Sequence, residues 1–146
     1  MRLEPEWLTR KHVEAIHGLQ LEQHGGLPGI RDVGALESAL GRPQHRWHYK
    51  AAEDLAACAA AYGFAIAKNH AFSDGNKRTA FQAMFVFLAM NAFDLTAPEP
   101  AAVTTMLAVA DGTMSEPALA DWLRENSKRR ARKPAQARKS ATFKRR

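Results

Sequence analysis

Asn69–Asn91 reads NHAFSDGNKRTAFQAMFVFLAMN. Its first ten positions gather a histidine, an aspartate, a lysine and an arginine around Gly75 and Asn76, and the next thirteen carry no charge. From about Lys77 to Asn91 the pattern predicts a helix that is apolar on nearly every side from Ala83 on. Such a helix belongs at the centre of a bundle. Its unbroken apolar run, Ala83 to Met90, is eight residues, far below the ~18 a membrane span needs. The chain is therefore expected to be soluble, in a reducing cytoplasm that suits its single cysteine, Cys58. Cys58 excludes an internal disulfide and offers no metal-binding pair; it reads as a small core residue. The N-terminus carries acids early and has no apolar h-region, so no secretory signal is expected.

Working outward, the remaining signals are also helical. Thr9 caps a helix to about Gln23, stopped by Gly25-Gly26, with Val13, Ile16, Leu19 and Leu21 toward the core. His12, His17 and His24, in or after that helix, read as surface or core fillers. Gly25, Gly26 and Gly29 are turn glycines, and Asp32 caps a short helix to Leu40 that Gly41 and Pro43 end. The segment "QHRWHYKAAED" links it to a helix from about Ala52 to Asn69, striped by Leu55, Cys58, Ala59, Tyr62 and Ile66. Pro98 or Pro100 opens a helix reaching Ala110 and closed by Gly112. Ser115 caps a last one, with Pro117 in its first turn and Leu119, Trp122 and Leu123 facing inward. No alternation is long enough for a sheet. The expected fold is all-α: a bundle of about six helices around a central hydrophobic one.

The chain has 146 residues, 46% hydrophobic and 25% charged, enough for one packed domain. Its net charge of +6 is unevenly spread. Residues 128–146 hold ten of the 21 basic residues and no acid, leaving 11 basic against 15 acidic residues, a net of −4, in the rest. A mildly acidic domain, 1–127, thus precedes a basic tail, 128–146, whose composition predicts disorder. Weak contact with nucleic-acid phosphates is the specific role open to the tail. Its one phenylalanine, Phe143, is too little for base stacking.

The turn at 70–78 carries the chemistry. Gly75 lets the chain bend sharply, and the first turn of the following helix offers unpaired N–H groups and the positive end of its dipole. That is an anion nest suited to a phosphate, with Lys77 and Arg78 adding positive charge. Asp74 beside a phosphate makes sense when Mg²⁺ bridges the two. His70 is the group suited to proton abstraction near neutral pH. "HRWHYK" places His45 and His48 three apart without a further ligand, which makes a poor metal site.

HAFSDGNKR resembles the signature of the Fic/Doc family, and the resemblance extends through "HGGLPGIRDVGALESALGRP" upstream and "TAFQAMFVFLAMN" downstream, over roughly residues 10–125. The similarity is greatest to the Doc ("death on curing") branch of toxins from toxin–antitoxin pairs. It implies His70 as general base, Phe72 as the anchor of the loop, and Asp74 as the Mg²⁺ ligand. Gly75, Asn76 and Lys77 would form the anion hole, and Arg78 would pair with a nucleotide phosphate. Typical Fic proteins, which transfer AMP from ATP, have glycine at the position of Lys77 and a second arginine at that of Phe81. The lysine is Doc-like and implies a reversed nucleotide, with ATP giving its γ-phosphate to a threonine of translation elongation factor Tu. Two positions depart from Doc: Gly75, often alanine there, and Ser73, often asparagine. The resemblance also implies a cognate antitoxin whose C-terminal amphipathic helix fills a groove, and a target-docking flap near Trp47 and Tyr49. From the residues alone, AMP transfer, RNA cleavage by His70 with Lys77 and Arg78, and a non-catalytic binding module remain open.

Overall fold

The computed structural model describes residues 3–49 and 54–131. Six helices follow one another: α1 (Arg10–His24), α2 (Val33–His48), α3 (Leu55–Asn69), α4 (Asn76–Met90), α5 (Glu99–Asp111) and α6 (Glu116–Glu125). The all-α expectation holds, with one addition. Phe93–Leu95 (β1) and Ser127–Arg129 (β2) pair antiparallel, Asp94 opposite Lys128. Three residues are too few for an alternation to be legible in sequence. Lys128 and Arg129 therefore begin the basic segment inside this ribbon, and Arg130 is tied to Asp94 by a guanidinium–carboxylate contact of 2.7 Å. The rest of that segment, 132–146, lies outside the described residues, as does its expected disorder.

Local chemistry explains the helix ends. The Thr9 hydroxyl accepts from His12 N–H, and His12 Nδ1 accepts from Thr9 N–H, a reciprocal box with histidine in the usual glutamate's place. Asp32, Asp54 and Ser115 cap α2, α3 and α6 through Ala35, Ala57 and Ala118 N–H. Gly25 and Gly112, both at positive φ, end α1 and α5.

Two expectations need correcting. The second helix does not stop at Gly41 or Pro43; it continues to His48. An internal proline costs about 3 kcal/mol, but Leu36, Ala39, Leu40, Pro43 and Trp47 form one buried stripe that offsets it. Arg42 and Arg46 also hold Glu116 of α6, at 2.5 and 3.3 Å. In α1, Leu19 is exposed; the buried stripe is Val13, Ile16, His17 and Gln20. Two polar side chains thus face inward, which a purely apolar template passes over.

The core is built around α3. Ten of its fifteen residues are buried, six of them alanine, and it packs against α2, α4, α5 and α6. A Cβ at Gly63 would collide with the Met84 side chain, so this glycine sets how closely α3 and α4 approach. The apolar helix α4 buries Thr79, Ala80, Ala83, Met84, Phe87 and Leu88 yet leaves Phe85 exposed. None of the helices among the described residues is long and apolar enough to cross a membrane.

Candidate functional site

The α3–α4 connection is tight. His70, the C-cap of α3, adopts a left-handed conformation (φ 51°, ψ 50°). Non-glycine residues seldom sit there, though histidine does so more readily than most. Arg31 holds it in place: its Nε donates to the His70 carbonyl at 2.8 Å and Nη2 to that of Asn69 at 3.4 Å. These are carbonyls that the end of α3 would otherwise leave unpaired. The imidazole itself is exposed.

Beyond His70 the chain dives inward. Ala71 and Phe72 are buried, and the Asn76 side chain grips Phe72 twice, accepting from its N–H at 3.1 Å and donating to its carbonyl at 3.0 Å. Phe72 thus occupies the anchoring position expected of it, and the Asn76 amide braces the loop. The backbone N–H of Asn76, in the first turn of α4, remains for an anion.

The loop after α1 runs alongside. Arg31 and Asp32 N–H both donate to the Ala71 carbonyl, Ser73 N–H donates to Gly29 O, and Ile30 bridges Phe72. Asp74 closes the arrangement. One carboxylate oxygen accepts from Leu27 N–H (3.2 Å), the other from Gly75 N–H (3.0 Å). A Cβ on Gly26, at φ +124°, would stand 3.0 Å from Asp74 Oδ2, so the close approach of the two loops requires glycine there.

Gly75, at φ 76°, turns the chain into α4, whose first turn no described side chain caps. Its free N–H groups, with Lys77 and Arg78 exposed beside them, form the nest that the sequence predicts. A cavity of about 740 Å³ opens from it. Asp74, Gly75, Asn76, Lys77 and Arg78 line its polar end, and Phe81, Phe85, Val103, Met106 and Leu107 line its apolar end. His70 is not part of that lining. It stands in solvent at the opposite end of the loop, where a second macromolecule can reach it.

Among the described residues no group of three metal-ligating side chains exists. Asp74 stands as a single carboxylate, and each of its oxygens spends one acceptor site on an N–H, leaving a further one. That donor set fits Mg²⁺, which typically takes one or two carboxylates together with substrate phosphates and water.

A family model described as the Fic/DOC family matches residues 7–88. The chain belongs to the Fic/Doc family. It is 39% identical over 118 residues to a protein named "Protein kinase doc" of Escherichia phage P1, covering 80% of this chain and 92% of that one. It is also 43% identical over 93 residues to "Toxin Doc" of Mycolicibacterium smegmatis, covering 63% of this chain and 69% of the relative.

Of the two residues expected to contact a target, Trp47 lies in the core and Tyr49 is exposed. Trp47 is buried in α2 with its ring edge-on to Trp7, and the Tyr49 ring is tilted against that of His45, whose companion His48 contacts Glu4. The segment lying against the 70–78 loop is 27–32. Sequence reasoning gave Arg31 no role and read Gly26 only as a turn glycine and His17 only as a surface or core filler. His17 had a legible signal, since it completes the 13–16–17–20 periodicity of α1.

Proposed function

We propose that this protein is a Doc-type toxin and protein kinase that transfers the γ-phosphate of ATP to a threonine hydroxyl of translation elongation factor Tu, halting translation in the bacterial cytoplasm. The observation that carries this reading is Lys77 in the first turn of α4, at the mouth of the nest, with Phe81 and not arginine one turn further along the same cavity. A lysine side chain there crowds the site that would seat α- and β-phosphates for AMP transfer. The extent of similarity to the phage protein named as a kinase supports the same branch.

In this mechanism the exposed His70 imidazole takes the proton of the threonine hydroxyl as its oxygen attacks the γ-phosphorus. The bond between that phosphorus and the β,γ-bridging oxygen breaks, and ADP leaves. The first-turn N–H groups of α4, Lys77 and Arg78 hold the phosphate oxygens and offset charge as it moves toward the leaving group. Asp74 would hold Mg²⁺, which when bound neutralises phosphate charge. His70 is exposed, so the target hydroxyl can reach it from solvent.

The expected partner is a cognate antitoxin presenting an amphipathic helix. Phe85, Val103 and Leu107 are exposed along the cavity wall and offer it an apolar face. Incubation with purified elongation factor Tu, Mg²⁺ and ATP, followed by mass mapping, tests the function. Phosphothreonine, absent with His70→Ala, is the expected product. An adenylylated residue would identify an AMP transferase, and RNA degradation without ATP a nuclease.

A further inference from the structure

His17 lies in α1, remote in sequence from the motif, yet it touches the 70–78 loop at two places and closes the space beside Gly75. Its Nε2 is 2.8 Å from the Asp74 carbonyl oxygen. A carbonyl brings no proton, so the hydrogen bond requires the tautomer with Nε2–H, which donates. The ring stacks on Phe72 at 3.9 Å between centroids, 11° from parallel. Its Nε2 and Cδ2 lie 3.7 Å from where a Cβ on Gly75 would be. The side chain is buried beneath the loop with only 5% of the residue exposed.

We propose that His17 is a positioning residue for magnesium–nucleotide binding, fixing from below the peptide of the residue that would hold the metal. The proposal rests on the reading that Asp74 and the first turn of α4 hold Mg²⁺ and ATP. The Asp74 side chain has a fixed direction because both its oxygens receive N–H donors, one from Leu27 across the gap and one from Gly75. Those bonds aim the carboxylate only while the Asp74 backbone stays in place. Gly75, at φ 76°, gives the turn no stiffness of its own. On the outer side the backbone is held by residues 27–32; on the inner side, Asp74 O and the face of Phe72 meet His17. Partners of this outer-shell kind are worth 10–100-fold in metal affinity in typical sites, as an order of magnitude. A plain core histidine would act otherwise: its loss would lower stability and weaken nucleotide binding equally with and without the metal.

The test is calorimetric titration of the full chain with ATP, in the presence and absence of Mg²⁺, with melting temperature recorded for each variant. His17→Phe keeps a ring to stack on Phe72 but has no N–H; His17→Gln restores a donor. The expected result is about tenfold weaker magnesium–ATP binding by H17F, a smaller change without magnesium, and recovery of most of the difference by H17Q. Binding by H17F within about twofold of the wild type, or equal losses with and without metal, overturns the proposal. Where H17F does not fold, imidazole nitrogen NMR of the unaltered protein decides. Addition of magnesium with a non-hydrolysable ATP analogue should find Nε2 protonated and shift its resonance; an unprotonated or unmoved Nε2 overturns the proposal. Asp74→Asn separates the two levels of inference. If wild type and D74N bind magnesium–ATP alike, the metal reading itself fails and takes the His17 proposal with it.

Discussion

Two segments of this chain look equally promising by composition. Residues 70–78 hold His70, Asp74, Lys77 and Arg78; residues 45–49 hold His45, Arg46, Trp47, His48 and Tyr49. Only the first brings these groups to an uncapped helix start. The second is the last turn of α2, where the backbone N–H groups bond back into the helix and Trp47 faces the core. Its polar groups are spent on fastening: Arg46 on Glu116 and His48 on Glu4. The first is a break between helices, with a left-handed His70, a left-handed Gly75 and an uncapped helix start opening on a cavity. Reactive residue types become a site where the backbone leaves donors unspent and space beside them.

The contrast can be broken first at His70. His70→Ala removes the proposed base and should lower phosphoryl transfer by about 10²–10⁴-fold, with nucleotide affinity and melting temperature near those of the wild type. A variant retaining most of the activity would mean that 70–78 is no more catalytic than 45–49. Trp47 is the reciprocal case. Trp47→Ala should cost about 3–5 kcal/mol of stability in denaturant unfolding, while the folded fraction keeps its specific activity. Lost activity without lost stability would return this segment to a target-docking role.

Gly26→Ala sharpens the comparison within the site. The added Cβ meets the Asp74 carboxylate at 3.0 Å, and φ +124° is unfavourable for alanine, a strain of about 1–3 kcal/mol. The expected outcome is a raised Mg²⁺ requirement in a titration of activity, alongside a lower melting temperature. An unchanged magnesium requirement would mean that the Leu27–Asp74 clamp has no bearing on the metal.

The smallest effect lies away from both segments. The Arg124 guanidinium beside Asp54, aided by Ala57 N–H, holds the Asp54 carboxyl below its usual range. A carboxyl lowered on folding stabilises above its unfolded pKa of about 3.9, and that contribution fades as pH falls through the lower folded value. Both partners are nearly half exposed, at 43% and 47%, so screening keeps the pair to less than about 1 kcal/mol. Arg124→Ala should therefore be slightly less stable at pH 7 and approach the wild type in acid. A difference that grows on acidification would rule this pair out as the cause.

How much of this was legible in sequence follows the same division. Caps announce themselves through residue type, so Thr9, Asp32, Gly112 and Ser115 mark their helix ends correctly. The motif at 70–78 is contiguous, and so are its roles. What sequence could not supply is contact between distant segments. Pro43 reads as a stop because the burial of Trp47 and the hold on Glu116 lie outside any local window. Leu19 reads as core because an apolar template passes over a buried histidine and glutamine. Arg31 lies 39 positions from His70 and His17 lies 57 from Asp74; neither pairing has a local pattern. Gly25, Gly26 and Gly29 read only as turn glycines because the contacts of this stretch with Ser73 and Asp74 lie outside any local window.

The most direct test of the central claim, that Lys77 in the nest directs phosphoryl transfer, is one pair of labels. Wild type and Lys77→Gly are each incubated with elongation factor Tu, Mg²⁺ and ATP labelled at either the α or the γ phosphate. The kinase reading predicts label from γ alone in the wild type, and a marked loss of that label in K77G. Label from α in the wild type, or γ transfer untouched by K77G, would contradict it.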